Sequence, residues 1–243
     1  MNRFVLSYLP FYALIIFFLC NIIAMFYYAG GTIQNPDSIG YDFFRNFLRQ
    51  LGRIKAYAVD DFGNQLSNLV SFRIWSTGMA VTGSIFFVYY LYLPKFFNKK
   101  IAILASFFAV ISSICFIATG ITPGDVIIHL SDKQGNILNT ISVYKLHVFF
   151  ANNIFYFAFP SAIIYSYVIY NSKKVDKIYG IGYYLFSFSL LVYIFIIIYG
   201  PSPFSSPSGQ IIQATSQKII AILWVISTTV LSIGVRTALN AKG

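Results

Sequence analysis

The sequence predicts an all-α integral membrane protein, a bundle of six transmembrane helices with an interfacial amphipathic helix in its first outer loop. Three observations predict it. Of 243 residues, 58% are hydrophobic and only 10% charged, where a soluble domain carries about 25% charged residues. Six stretches are apolar over roughly the 20 residues that a helix needs to cross the hydrocarbon core. One segment outside them repeats large apolar residues at three- and four-residue steps.

The six stretches run over 4–28, 74–93, 101–119, 146–170, 178–199 and 219–235, and none contains a charged side chain. Backbone groups in lipid must bond internally, and strand-like alternation is absent, so these are helices and not barrel strands. Tyr27, Tyr28, Trp75, Tyr92, Tyr170 and Tyr199 sit near their ends, as an interfacial aromatic belt requires. The first run is too long for a signal-peptide core, and Phe17, Phe18 and Leu19 before Cys20 are too bulky for a lipoprotein cleavage site, so it reads as a retained span. No internal repeat and no linker divides the chain, which reads as one domain over 1–243.

Charge sets the orientation. All seven acids are aspartates, and seventeen Lys and Arg give a net charge of +10. These cations lie between apolar runs and not on one soluble face, so lipid headgroups are their partners and nucleic acid is not. With both termini cytoplasmic, the inner segments hold Arg3, Lys95, Lys99, Lys100, Lys173, Lys174, Lys177, Arg236 and Lys242 against Asp176 alone. The short connections 95–100 and 171–177 carry the positive-inside signal, which predicts a multi-pass protein of the cell membrane. The inner loops are too small to form a catalytic module. The outer ones are longer, about 45, 26 and 19 residues, so binding belongs to the outer face.

In the first outer loop, Tyr41–Ala58 places Phe44, Phe47, Leu48, Leu51 and Ile54 on one face of an expected helix, with Arg45, Arg49 and Arg53 stacked along its flank. Such a helix lies in the interface with its arginines level with phosphates, either to hold an anionic headgroup or merely to anchor a lid. The second outer loop carries both histidines. Asp125, His129 and His147 could form a zinc set or an Asp–His base, but their spacing matches no metal signature, and turn-capping and carbonyl-bonding roles explain them better. Haem ligation is disfavoured because the histidines sit at or outside the interface. No cofactor is implied.

Within the spans, Ser76, Ala80 and Ser84 with Gly78 and Gly83, and Ser227, Thr228, Thr229 and Ser232, read as close-packing features. Asn152 and Asn153 face the bundle interior, and Pro160 is expected to kink its helix. The lack of a buried acid disfavours a coupled transporter. Cys20 and Cys115 read as packing residues.

Four short motifs resemble the prokaryotic six-helix membrane family of unknown function that is distantly akin to the Frag/DRAM/Sfk proteins. They are Asn46-Phe-Leu-Arg-Gln-Leu-Gly52, Gly120-Ile-Thr-Pro-Gly-Asp125, His147-Val-Phe-Phe-Ala151, and Gln217-Lys218 followed by Trp224. Arg49 stands where that family usually has Ser, and Gln217 where it has an acid. The resemblance implies a lipid-associated role without a defined reaction, and an outer polar cluster of Asp125, His147 and Gln217. Three functions therefore compete: a lipid-interacting protein, a non-catalytic subunit of a larger membrane complex, and, least favoured, a metal-dependent lipid hydrolase.

Overall fold

The computed structural model describes residues 2–132 and 134–241; Lys242, counted above among the inner cations, lies outside them. Its helices are α1 (Arg3–Ser7), α2 (Leu9–Phe26), α3 (Leu69–Phe97), α4 (Lys100–Ile121), α5 (Val143–Tyr170), α6 (Lys177–Tyr199) and α7 (Pro207–Asn240). The six from α2 to α7 are long and apolar enough to cross a membrane. Between α2 and α3 lie a 3-10 helix (Leu48–Gly52) and an antiparallel hairpin of β1 (Lys55–Val59) and β2 (Gln65–Ser67). Between α4 and α5 a second hairpin pairs β3 (Ile127–Ser131) with β4 (Ile137–Ser142).

Each long helix packs on the next in sequence, and α7 returns against α1 and α2, which closes a ring. The outward faces carry half-exposed Ile15, Phe18, Leu19, Ile103, Leu104, Phe107, Leu185, Phe188, Phe195, Ile226 and Ile233. A belt of that extent has no place on a monomer in water, and it matches a hydrocarbon solvent. The chain is thus a multi-pass membrane protein.

Small residues let the helices approach. A side chain on Gly120 of α4 would meet the Ser76 carbonyl at 3.0 Å and the Ala80 amide at 3.1 Å, and one on Gly78 would meet Cys20 Cβ at 2.4 Å. The Ser76–Ala80 row is thus a seat for a neighbouring backbone, and Cys20 is a packing side chain. Hydroxyls bond across helices: Ser112 donates to the Ile154 carbonyl (2.8 Å), Thr82 donates to the Ala13 carbonyl (3.3 Å), and Ser106 pairs with Tyr165. Helix α5 continues through Pro160.

Two expectations need correction. Residues 41–58 do not form one amphipathic helix. Buried Asn46 and Gln50 divert local backbone groups: the Asn46 amide nitrogen donates to the Gly31 carbonyl and to Gln50 Oε1, which also accepts from the Phe47 amide. This competition favours a tight turn over an α-helix, and 55–59 then pairs as a strand. The last helix also begins twelve residues before the expected span, because Ser206 Oγ accepts from the Gly209 amide (3.0 Å) as an N-cap, and Pro207 follows in the first turn.

Candidate functional site at the capped end of the bundle

The long first loop folds over one end of the ring, and the start of α7 holds it there. Gln217 Oε1 accepts from the Leu48 amide at 2.8 Å, Gln210 Nε2 donates to the Arg45 carbonyl at 2.9 Å, and Thr215 Oγ1 donates to the Phe44 carbonyl at 3.4 Å. The Lys218 ammonium, almost wholly buried, donates to the Asn46 and Ala214 carbonyls and lies 5.1 Å from the Phe43 ring centre and 5.5 Å from that of Tyr41. Opposite, Asn68 bridges the Arg53 carbonyl (2.9 Å) and the Ala29 amide (3.3 Å). Asp125 accepts from the amides of Ile54 (3.0 Å) and Lys55 (2.8 Å), so the second loop clamps the first.

The three arginines do not form one stripe. Arg45 is exposed and ion-paired with Asp42 at 2.7 Å. Arg53 donates to the carbonyls of Lys55 and Gly124 and lies over the Tyr57 ring at 4.2 Å. Arg49 differs: its guanidinium rests on the Phe47 ring at 4.4 Å and, among the described residues, makes no hydrogen bond or ion pair. It lines both a surface crevice, with Gln50, Arg53, Tyr57, Tyr144 and His147, and an interior slot below the cap.

The slot lies below the cap, and all six long helices wall it. Aromatic rings of Phe17, Phe86, Phe116 and Trp224 face it, and alanines 151, 158 and 162 leave the room. Trp75 Nε1 and Asn21 Oδ1, both buried and both on its lining residues, have no hydrogen-bond partner.

The expected outer polar cluster is only partly gathered. His147 Nδ1 donates to the Thr122 carbonyl at 2.6 Å and borders the crevice, Gln217 borders the slot, and Asp125 is used on backbone amides. His129 is exposed on β3, and its Nδ1 lies 3.1 Å from Thr140 Oγ1. Asp125, His129 and His147 do not converge as a zinc set, and no group of three His, Cys or Asp side chains gathers among the described residues.

Electrostatics follow burial. The Asp42 carboxyl is pushed up by partial burial, but the Arg45 guanidinium and the amides of Phe44 and Arg45 outweigh this and hold it below the usual range. Burial raises the Tyr57 hydroxyl, and the charges of Arg53 and Arg49 offset part of the rise. Sequence reasoning missed Asn46, Gln50 and Asn68 as the braces of the cap, Lys218 as its buried cation, and the slot. The braces carried a signal: amides set among apolar residues in a loop are there to satisfy backbone.

Comparison with protein-family models, with curated proteins and with solved structures finds no match to this chain.

Proposed function

We propose that this is a lipid-interacting protein of the cell membrane, with both termini cytoplasmic and the capped end outside, which receives an anionic headgroup at Arg49. One observation carries the reading. Arg49 is a guanidinium without an ion partner, at the junction of a surface crevice and an apolar slot. A guanidinium presents paired donors that suit a carboxylate or phosphate. The four motifs that resemble the six-helix family distantly akin to the Frag/DRAM/Sfk proteins point the same way. Nothing in this reading requires catalysis. Native mass spectrometry of protein released in mild detergent tests it: wild type retains anionic lipid, Arg49→Gln loses most of it, and Arg45→Gln keeps it because Arg45 is already paired. Equal lipid content in all three would remove the idea.

A second reading, a subunit of a larger membrane complex, is favoured by the β3–β4 hairpin. Ile127, Ile128, Leu130, Ile137, Leu138 and Ile141 are all exposed there, on a strand pair that a partner would cover. The same spectra test it, since a fixed-stoichiometry protein partner is its expected result. The hydrolase reading loses its basis, because its three ligand residues lie apart.

A further inference from the structure

We infer that the interior slot seats one hydrocarbon chain of a single-chain anionic amphiphile, with the tail between the six helices and the acidic head at Arg49. The inference rests on the lipid-interaction reading and adds the ligand class and its place inside the protein.

The lining has the chemistry of such a site. Ligand cavities are mostly apolar with a few placed polar groups. Here the walls are aromatic rings and alanines, and the one charged lining residue is Arg49, at the mouth. The length fits as well. Lining residues extend from Thr119 to Ala109 on α4, from Ala151 to Ala162 on α5 and from Trp75 to Tyr90 on α3, about 15–22 Å at 1.5 Å rise per residue. Half of a roughly 30 Å hydrocarbon core is about 15 Å, the depth that one acyl chain fills in a leaflet.

The width selects one chain. Trp224 stands on the slot wall with the rings of Phe86, Phe17 and Phe116 at 5.1, 5.2 and 5.7 Å from its own. Rings at those spacings touch, so no chain passes between them, and the small side chains of α4 and α5 line the rest of the slot. Six helices wall the slot, so a diacyl lipid would enter only if a gap between two helices let its second tail lie outside.

Two of the buried atoms without a partner also lie on slot residues. Burying a polar group without a partner costs about 1–3 kcal/mol, so each demands an explanation. Trp75 and Asn21 belong to the stretch of slot nearest the cap. There the head of a bound amphiphile, or water carried with it, offers an acceptor to Trp75 Nε1 and a donor to Asn21 Oδ1.

Two sources share this chemistry, a free fatty acid and a lysophospholipid, and the experiment separates them. Full-length protein in a nonionic detergent is titrated with palmitate, with palmitoyl-lysophosphatidylglycerol and with dipalmitoyl-phosphatidylglycerol, and bound ligand is counted by native mass spectrometry. Wild type is expected to take one single-chain molecule. Whichever of the two binds at least tenfold more tightly is the preferred source; equal binding assigns the class as a whole. Ala158→Phe and, independently, Ala151→Leu fill the slot and should each weaken binding at least tenfold. Arg49→Gln should weaken it comparably while sparing a neutral monoacylglycerol. A thermal melt close to wild type shows that each variant is folded, and Ile103→Phe on the lipid-facing surface is the control. Single-chain binding unchanged in both folded slot-filling variants overturns the inference. So does diacyl lipid that binds as well as single-chain lipid, depends on Arg49 and ignores the fillers; that result leaves the lipid-interaction reading standing. No binding of any lipid overturns both.

Discussion

Gln217 of α7 accepts a hydrogen bond from the backbone amide of Leu48 at 2.8 Å, which joins the last helix to the first turn of the 3-10 cap across 169 positions of sequence. The amide is otherwise an unpaired group at a helix start, so its partner fixes where the cap sits over the slot. Gln217→Leu leaves that amide without an acceptor and is expected to cost about 1–3 kcal/mol. For a chain of this size that lowers the melting temperature by about 2–4 °C per kcal/mol. Gln217→Glu keeps an acceptor for the Leu48 amide, so it should melt closer to wild type than the Leu variant. A Leu variant as stable as wild type would show that the contact does not hold the cap.

The hairpin side of the cap rests on Gly31. Its φ of +79° is left-handed, and a Cβ there would sit 2.1 Å from the Ala58 amide nitrogen. Gly31→Ala combines backbone strain with a clash against a strand, and should destabilise by about 2–4 kcal/mol. Gly40 has φ +63° with nothing within 4 Å of the same position, so Gly40→Ala isolates the strain alone, about 1–2 kcal/mol. Thermal melts of the two variants side by side read the difference. Equal losses would mean that Gly31 is conformational only.

Acid should loosen the cap through Asp42. Its folded pKa lies below the ordinary carboxylate value because Arg45 and two backbone amides outweigh its partial burial. A depressed folded pKa gives stability that is fully present above the unfolded value of about 3.9 and is lost as pH falls through the folded one. The pair is exposed, so the effect is below about 1 kcal/mol. Asp60 and Asp132 carry depressed values of the same sign in their turns, so the informative quantity is a difference. Melting temperature should fall less steeply between about pH 5 and pH 2 in Asp42→Asn than in wild type. Parallel curves would remove Asp42 from the acid response.

The bundle was legible because its signal is additive: twenty apolar residues without a charge leave few alternatives to a span. The cap was not, because its apolar spacing fits a helix while its conformation is decided by single amides. Asn46 and Gln50 sit at i and i+4, a spacing that supports a helix, yet here Asn46 reaches back fifteen residues to the Gly31 carbonyl. The hairpins did carry a local signal. Asp60 and Asp132 each accept from the amides two and four residues on, and Gly63 and Gly135 follow at φ +80° and +88°. The pattern Asp-x-x-Gly-Asn is turn chemistry. Helical periodicity across 41–58 masked the first, and reading 120–146 for metal ligands masked the second. Arg49 shows why site residues resist periodicity. Its neighbours at four-residue steps are tied to Asp42 and to loop carbonyls, and only the folded loop turns it alone toward the slot.

Orientation gives the last prediction. The end of the bundle opposite the cap, where α3 turns into α4, α5 turns into α6 and α7 finishes, carries Lys95, Lys99, Lys100, Lys173, Lys174 and Arg236, and Lys99 and Lys174 donate to the carbonyls of Asn171 and Phe96 there. By the bias of short basic loops toward the cytoplasm, the capped end is expected to face out. Cys20 can be replaced by Ala at small cost, since Gly78 packs on the Cys20 Cβ that Ala retains, and buried Cys115 is replaced by Ala alongside it. In that background Gln134→Cys, exposed near the β3–β4 turn, should react with a membrane-impermeant maleimide on intact cells. Lys173→Cys, exposed in the short loop between α5 and α6, should react only after permeabilisation. The reverse pattern would invert the topology and place Arg49 on the cytoplasmic leaflet, where the anionic lipids it met would be those of the inner surface.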